Sequence, residues 1–198
     1  MNILHITSSV RGNDSESTRV TQLIVDKLVA SQPHASVVRR DVGAQPHPEL
    51  DGAAIGALFT PLEQRSAEQA ARVALDDALI AEAQAADVIV IGAPMYNFGM
   101  PVQLKNWFDA IARSGVTFRY TETGPVGLLQ NKKVYVATAR GGVYPVEADP
   151  QVPHIRQLLN FLGMSDHTFI YSSGLSMGPE AAAKGQQAAN EAVEAALA

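Results

Sequence analysis

The sequence predicts an α/β fold: a doubly wound sheet of five parallel strands, order 2-1-3-4-5, with helices on both faces, built as one domain over residues 1–198. Three observations carry this. Short apolar runs alternate with helix-period stretches along the chain, the pattern of β-α-β units joined by right-handed crossovers. The run Val88-Ile89-Val90-Ile91 is apolar at every position, as in a parallel strand covered above and below. A hydroxyl-rich loop leads from the first strand into a helix, the placement of an anion-binding turn in sheets of this strand order.

Taken in order, Ile3 to Thr7 reads as a strand, and Val20, Leu23, Ile24 and Leu28 recur at helical spacing until Pro33 ends the pattern. Val37 to Val42 offers the second strand, Gly43 to Pro48 an excursion punctuated by Gly and Pro, and Leu50 to Phe59 a short helix. Ser66 to Ala86 is rich in helix formers, with Val73, Leu75, Leu79 and Ile80 as its apolar face. Asp87 to Gly92 is the third strand. Pro101 suits the first turn of the next helix, where its missing donor is harmless, and Leu104, Trp107, Phe108 and Ile111 form one core stripe. Lys133 to Ala139, Ile155 to Leu162, His167 to Ser172 and Pro179 to Leu197 complete the alternation as strand, helix, strand and Ala-rich helix. The stretches Gly43 to Ser66 and Gly115 to Lys132 exceed what connections need and are expected to build pocket walls and a subunit contact.

With 198 residues, 46% hydrophobic and 18% charged, the chain can bury one substantial core. A net charge of −5 with scattered basic residues disfavours nucleic acid as a partner and leaves a small molecule as the expected ligand. No cysteine is present, which removes disulfides, thiolate nucleophiles and cysteine metal ligands. The five histidines, His5, His34, His47, His154 and His167, show no pair at ligand spacing, so no metal site is expected. The first residues lack the basic and apolar regions of a signal peptide, and no apolar run approaches the roughly 20 residues of a membrane span. A cytoplasmic protein without membrane contact is expected.

Three loops should meet at the carboxyl edge of the sheet, where open α/β sheets bind ligands. In the first, Ser8 to Ser17, the hydroxyls of Ser9, Ser15 and Ser17 suit a phosphate monoester beside the open N–H groups of a helix start. Alternatively, Ser15, Ser17 or Thr18 simply caps that helix. Arg11 and Arg19 either add positive potential or are solvated surface charges. In the second loop, Ala93 to Pro101, Asn97 offers an amide to a heterocycle edge, and Met95, Tyr96 and Phe98 offer apolar surface for a flat ring. In the third, Ala139-Arg140-Gly141-Gly142, the two glycines let backbone N–H groups approach a ligand closely. The Gly-x-Gly-x-x-Gly and Gly-Lys-Ser/Thr fingerprints of other nucleotide-binding folds are missing. Gly174-Leu175-Ser176-Met177-Gly178 matches the Gly-x-Ser-x-Gly elbow of serine hydrolases, a second functional class. Against that class, no histidine lies downstream of Ser176, and Pro179 starts the helix beyond the serine.

These residues resemble the flavodoxin-like FMN-dependent NADH:quinone oxidoreductases, also known as azoreductases. The likeness runs through the Ser8-Ser9 loop, Ala93-Pro94-Met95-Tyr96-Asn97-Phe98, Gln103-Leu104-Lys105-Asn106, Gly115-Val116-Thr117-Phe118-Arg119-Tyr120-Thr121, Arg140-Gly141-Gly142 and Gly178-Pro179-Glu180. It implies a homodimer with one FMN per subunit, contacted by Ser9, Ser15-Glu16-Ser17, Met95 to Phe98 and Ala139 to Gly142. It also implies that Phe118 and Tyr120 lie on the substrate side. NADH would reduce quinones and azo compounds in ping-pong turnover, with no side-chain nucleophile. A flavodoxin-type electron carrier shares the fold and FMN and is the alternative. The segment around Phe59-Thr60-Pro61 is shorter than in relatives and lacks a rim basic residue, and Ala139 stands where relatives carry serine.

Overall fold

The computed structural model describes residues 1–145 and 148–198. Five strands, β1 (Asn2–Thr7), β2 (Ser36–Asp41), β3 (Val88–Pro94), β6 (Lys133–Ala139) and β7 (Asp166–Ser172), form a parallel sheet in the order β2-β1-β3-β6-β7. Ranked by position in the chain, that order is 2-1-3-4-5. Among the described residues six α-helices accompany it: α1 (Glu16–Ser31), α2 (Gly52–Phe59), α3 (Ala67–Ala85), α4 (Val102–Ile111), α5 (Val152–Leu162) and α6 (Pro179–Ala196). A hairpin of β4 (Phe118–Thr121) and β5 (Gly124–Gly127) stands apart from the main sheet.

Every residue of β3 is buried, so its uninterrupted apolar sequence reflects cover on both faces. One core cluster joins Leu4, Ile6, Ile89 and Ile91 to Leu79 and Ile80 of α3, Trp107 and Phe108 of α4, and Leu159 of α5. The other joins Ile3, Val88 and Val90 to Val20 and Ile24 of α1 and to Ala189 and Val193 of α6. Successive strand residues point to opposite faces, so Ile3 and Leu4 serve different cores. Helix starts follow their sequences. Asp51 caps α2 through Ala54 N at 2.7 Å, and Ser66 with Gln69 forms a reciprocal capping box on α3. Pro101 occupies the N-cap of α4, one residue before the position expected.

Two expectations are corrected. Leu75 does not join the apolar face of α3 but is 47% exposed, whereas Asp76 beside it is buried. Asp76 is held by His47 Nε2 at 2.7 Å, by Arg72, and by Arg113 Nη2 at 3.2 Å. Burial would raise its pKa, but the hydrogen bonds from His47 and Arg72 outweigh that and hold the carboxyl below its ordinary range. This node ties the excursion before α2 and the turn after α4 to one helix. The second correction is the β4-β5 hairpin, where only extra connecting chain was foreseen. Its exit packs backbone on backbone: a Cβ on Gly127 would fall 2.0 Å from Gly163 N, and Leu129 N donates to Leu162 O at 2.9 Å. Gly163 itself ends α5 in the left-handed region at φ 96. Among the described residues, no helix is long and apolar enough to cross a membrane.

His5 is buried in β1, and its Nε2 lies 2.8 Å from Thr21 Oγ1, whose own hydrogen goes to Thr18 O. His5 Nε2 is therefore the donor, and Nδ1 faces the Arg39 guanidinium at 3.3 Å as an acceptor. Burial first, then Arg39, push the pKa from 6.5 down to about 4, with Asp26 and Asp41 opposing. The unfolded chain thus binds a proton that the folded chain refuses, and stability present above pH 6.5 is lost as pH falls toward 4. His167, lowered by burial, acts in the same direction. Urea unfolding between pH 7 and 4 should show a His5 contribution of up to roughly 3 kcal/mol, and a His5→Asn variant a correspondingly flatter profile. Gly127→Ala should cost about 1 to 3 kcal/mol in the same assay, because backbone rather than a movable side chain blocks the added methyl.

Candidate functional site

The sheet register sets the site. Pro94, Ala139 and Ser172 stand abreast at the ends of β3, β6 and β7, and the loops beyond them emerge side by side. Direct hydrogen bonds then stitch the loops together. Ser9 Oγ meets Tyr96 Oη at 2.9 Å, Met95 N donates to Ala139 O at 2.8 Å, and Arg140 N donates to Ser172 O at 2.9 Å. Between them lies a cavity of about 180 Å³. Its walls include Ser9, Ser15, Glu16, Met95, Tyr96, Ala139, Arg140 and Gly141, all expected from sequence. Ser17, Asn97, Phe98 and Gly142 flank it without lining it, and neither Phe118 nor Tyr120 reaches it.

The first loop ends at Ser15, the N-cap of α1, and no side chain caps the helix. Ser15 Oγ instead meets Ser17 Oγ at 3.0 Å, both buried. The capping alternative therefore fails for Ser15. Among the described residues, the N–H groups of Glu16, Ser17 and Thr18 have no acceptor, and the buried Thr18 hydroxyl has no partner. Such a set of open donors at the positive end of a helix fits an anion. The Glu16 carboxylate does not oppose this: it is turned to Arg19 at 2.7 Å, Ser172 Oγ at 3.1 Å and Gln186. Arg19 is thereby spoken for. Arg11 lines the cavity and, among the described residues, forms no ion pair, so it is the cation at the mouth.

The second loop turns tightly. Tyr96 and Gly99 exchange two backbone bonds of 2.9 and 3.1 Å, with Asn97 at φ 48 and Phe98 at φ 69 between them. Left-handed geometry at a phenylalanine is unfavourable by about 1 to 2 kcal/mol. The turn presents the Asn97 amide and the Phe98 ring, 64% exposed, to solvent beside the cavity, with Tyr144 edge-on to Phe98 at 6.2 Å. This is apolar surface shaped for a flat ligand before any arrives.

In the third loop the Arg140 side chain is buried and paired with Asp149, beneath the Tyr171 ring at 5.3 Å. Burial favours protonation of Asp149, but bonds from Val152 N, Arg140 and Gln151 N outweigh it and keep the pKa below the usual carboxylate range. Gln151 donates in turn to Ala93 O and Pro94 O at 3.2 and 3.0 Å. Arg140 therefore braces the second and third loops through Asp149, while its buried Nε and Nη2 have no partner among the described residues. Among the described residues, the N–H groups of Gly141 and Gly142 have no acceptor. Gly141 also lies close to a part of the chain the sequence did not point to: a Cβ there would fall 2.7 Å from Ser176 Oγ, which would have to turn aside.

That contact exposes a fourth loop. Leu175 and Ser176 line the cavity, joined to the third loop by Leu175 N to Arg140 O at 3.2 Å and Ser176 N to Gly141 O at 3.0 Å. The Gly-x-Ser-x-Gly pattern was the available signal. Its hydrolase reading finds no support, since no histidine hydrogen-bonds the Ser176 hydroxyl among the described residues and Pro179 begins α6 beyond it. A larger hollow of about 500 Å³ lies between α2 and α3; of its polar groups, Asp51, Ser66, Gln69 and Arg72 are engaged as caps or with Asp76. Among the described residues no group of three potential metal ligands gathers anywhere.

A family model described as a flavodoxin-like fold matches residues 1–197. An FMN-dependent NADH:quinone oxidoreductase of Aromatoleum aromaticum is 60% identical over 199 residues, spanning all of both chains. Another of that name, from Dechloromonas aromatica, is 57% identical over 195 residues, 98% of each. Among solved structures, an azoreductase from Bacillus anthracis superposes with a TM-score of 0.89 at 26% identity, covering 100% of this chain and 99% of that one. Four stitched loops, an uncapped helix start and this agreement along the whole length place the chain in the flavodoxin-like family of FMN-dependent NADH:quinone oxidoreductases.

Proposed function

We propose that this protein is a cytoplasmic, homodimeric oxidoreductase that binds FMN and uses NADH to reduce quinones and azo compounds. The observation that carries the reading is the open start of α1: among the described residues the amides of Glu16, Ser17 and Thr18 have no acceptor, and this start adjoins a cavity walled by Ser9, Ser15, Met95, Tyr96, Ala139 and Leu175. The names of its relatives agree with it. Such a site holds a phosphate by neutral donors at one end and a planar ring at the other.

Ser9, Ser15, Ser17 and the amides of Glu16 and Thr18 would hold the phosphate, with Arg11 adding charge at the mouth. Met95, Tyr96 and Phe98 would flank the ring, and Asn97 would fix its orientation through its amide. The free N–H groups of Gly141 and Gly142 would stabilise negative charge on the reduced ring, as fixed dipoles that need no rearrangement. FMN, when bound, would supply the redox chemistry that links NADH to the acceptor. Phe118 and Tyr120, stacked edge to face at 5.6 Å on the hairpin, are assigned to the substrate side. Exposed Phe59, Leu62, Phe98, Val102 and Tyr120 supply the apolar surface for a second copy. No side chain is needed as a nucleophile.

Ser17→Ala removes a hydrogen bond to a charged phosphate and should weaken FMN binding roughly tenfold to a hundredfold in a fluorescence titration. An unchanged dissociation constant would remove the phosphate from this loop. In the loaded protein under anaerobic conditions, NADH should bleach the flavin absorbance and a quinone should restore it. Steady-state turnover should give parallel double-reciprocal lines without any second protein. A strict need for a protein acceptor would identify an electron carrier instead.

A further inference from the structure

We infer that Ser176 is an FMN-binding residue, its hydroxyl the exposed one on the β6-β7 wall of the cavity. This rests on the FMN reading above. That wall is made by Ala139, Arg140, Gly141, Leu175 and Ser176. Ala139 and Leu175 carry no polar side-chain atom, and Arg140 is buried, with Nη1 paired to Asp149 and Nε and Nη2 without a partner among the described residues. Ser176 alone among these offers an exposed side-chain hydroxyl. Its hydroxyl lies where it flanks the open face of Gly141, 2.7 Å from the position a Cβ would take there, and among the described residues nothing else bonds it.

The placement is rigid. Gly174 N, Leu175 N and Ser176 N donate to Gly142 O, Arg140 O and Gly141 O at 3.0, 3.2 and 3.0 Å, which clasps the turn after β7 to the third loop. The backbone carrying the hydroxyl is thus set before the ligand arrives, so its hydrogen bond is not offset by the entropy of ordering a loop. The pattern Gly-x-Ser-x-Gly then has a local meaning without catalysis: Gly174 and Gly178 take the left-handed region at φ 75 and 98, bracketing the serine in a turn that aims it back over the third loop.

The test is titration of the flavin-free protein with FMN, read by quenching of flavin fluorescence, alongside the thermal midpoint of the flavin-free form. Ser176→Ala should raise the dissociation constant about threefold to tenfold, the size of a lost neutral hydrogen bond, with the midpoint unchanged. Ser176→Thr, which keeps the hydroxyl, should bind as the unmodified protein does. Should the alanine variant prove unstable, Ser176→Gly removes the same hydroxyl and should show the same weakening. Wild-type affinity in folded Ser176→Ala would overturn the assignment while leaving the FMN reading intact. Failure of the unmodified protein to bind FMN would instead overturn the reading itself.

Discussion

The hydrogen-bonded ladder linking β3, β6 and β7 is the constraint on which the site depends. It brings Pro94, Ala139 and Ser172 level, so that the chain segments after them leave the sheet at one edge and are near enough to bond one another. The same pairing then runs on past the strands, through Met95 to Ala139 and from the Gly174 turn to the third loop. The loops are therefore extensions of the sheet, and their geometry inherits its rigidity. Burial of β3 on both faces supplies the energy behind this, since shifting its register would move apolar side chains out of two cores at once.

An acidic chain that holds an anion faces a conflict, and its charges are arranged to resolve it. The acidic residue nearest the helix start, Glu16, is neutralised by Arg19 and turned toward Ser172, and the buried Asp149 is matched by Arg140. What remains facing the cavity is largely uncharged: hydroxyls and backbone amides, whose dipoles are fixed by folding. On the proposed reading, selectivity for a phosphate ester would come from donor geometry more than from net potential, which a net charge of −5 would weaken.

Much of this was legible in the sequence because the signals were local. Apolar runs gave the strands, the period of Leu104, Trp107, Phe108 and Ile111 gave the face of α4, and loop chemistry at strand ends gave most of the cavity wall. The failures share a different cause, namely long-range pairing. Periodicity placed Leu75 inside because it cannot know that Asp76 is met by His47, Arg72 and Arg113 from other parts of the chain. The β4-β5 hairpin has one strand of mixed exposure and a partner of Gly-Pro-Val-Gly, which carries almost no strand signal until Gly163 packs against it. Ser176 was visible, but only the proximity of Gly141 shows what its turn is for. Whether Ser15 capped α1 was undecidable from composition, since a capping serine and a ligand-facing serine have the same neighbours.

The turn at Asn97 and Phe98 has a consequence for recognition. Two left-handed residues, one of them bulky, are held by the paired bonds of Tyr96 with Gly99, so the unfavourable backbone is set once, when the chain folds. A guest meeting this lip finds it already frozen and surrenders little disorder in docking. The affinity of planar molecules should therefore track how well their outlines match a fixed template, and a poor match has no loop rearrangement to rescue it.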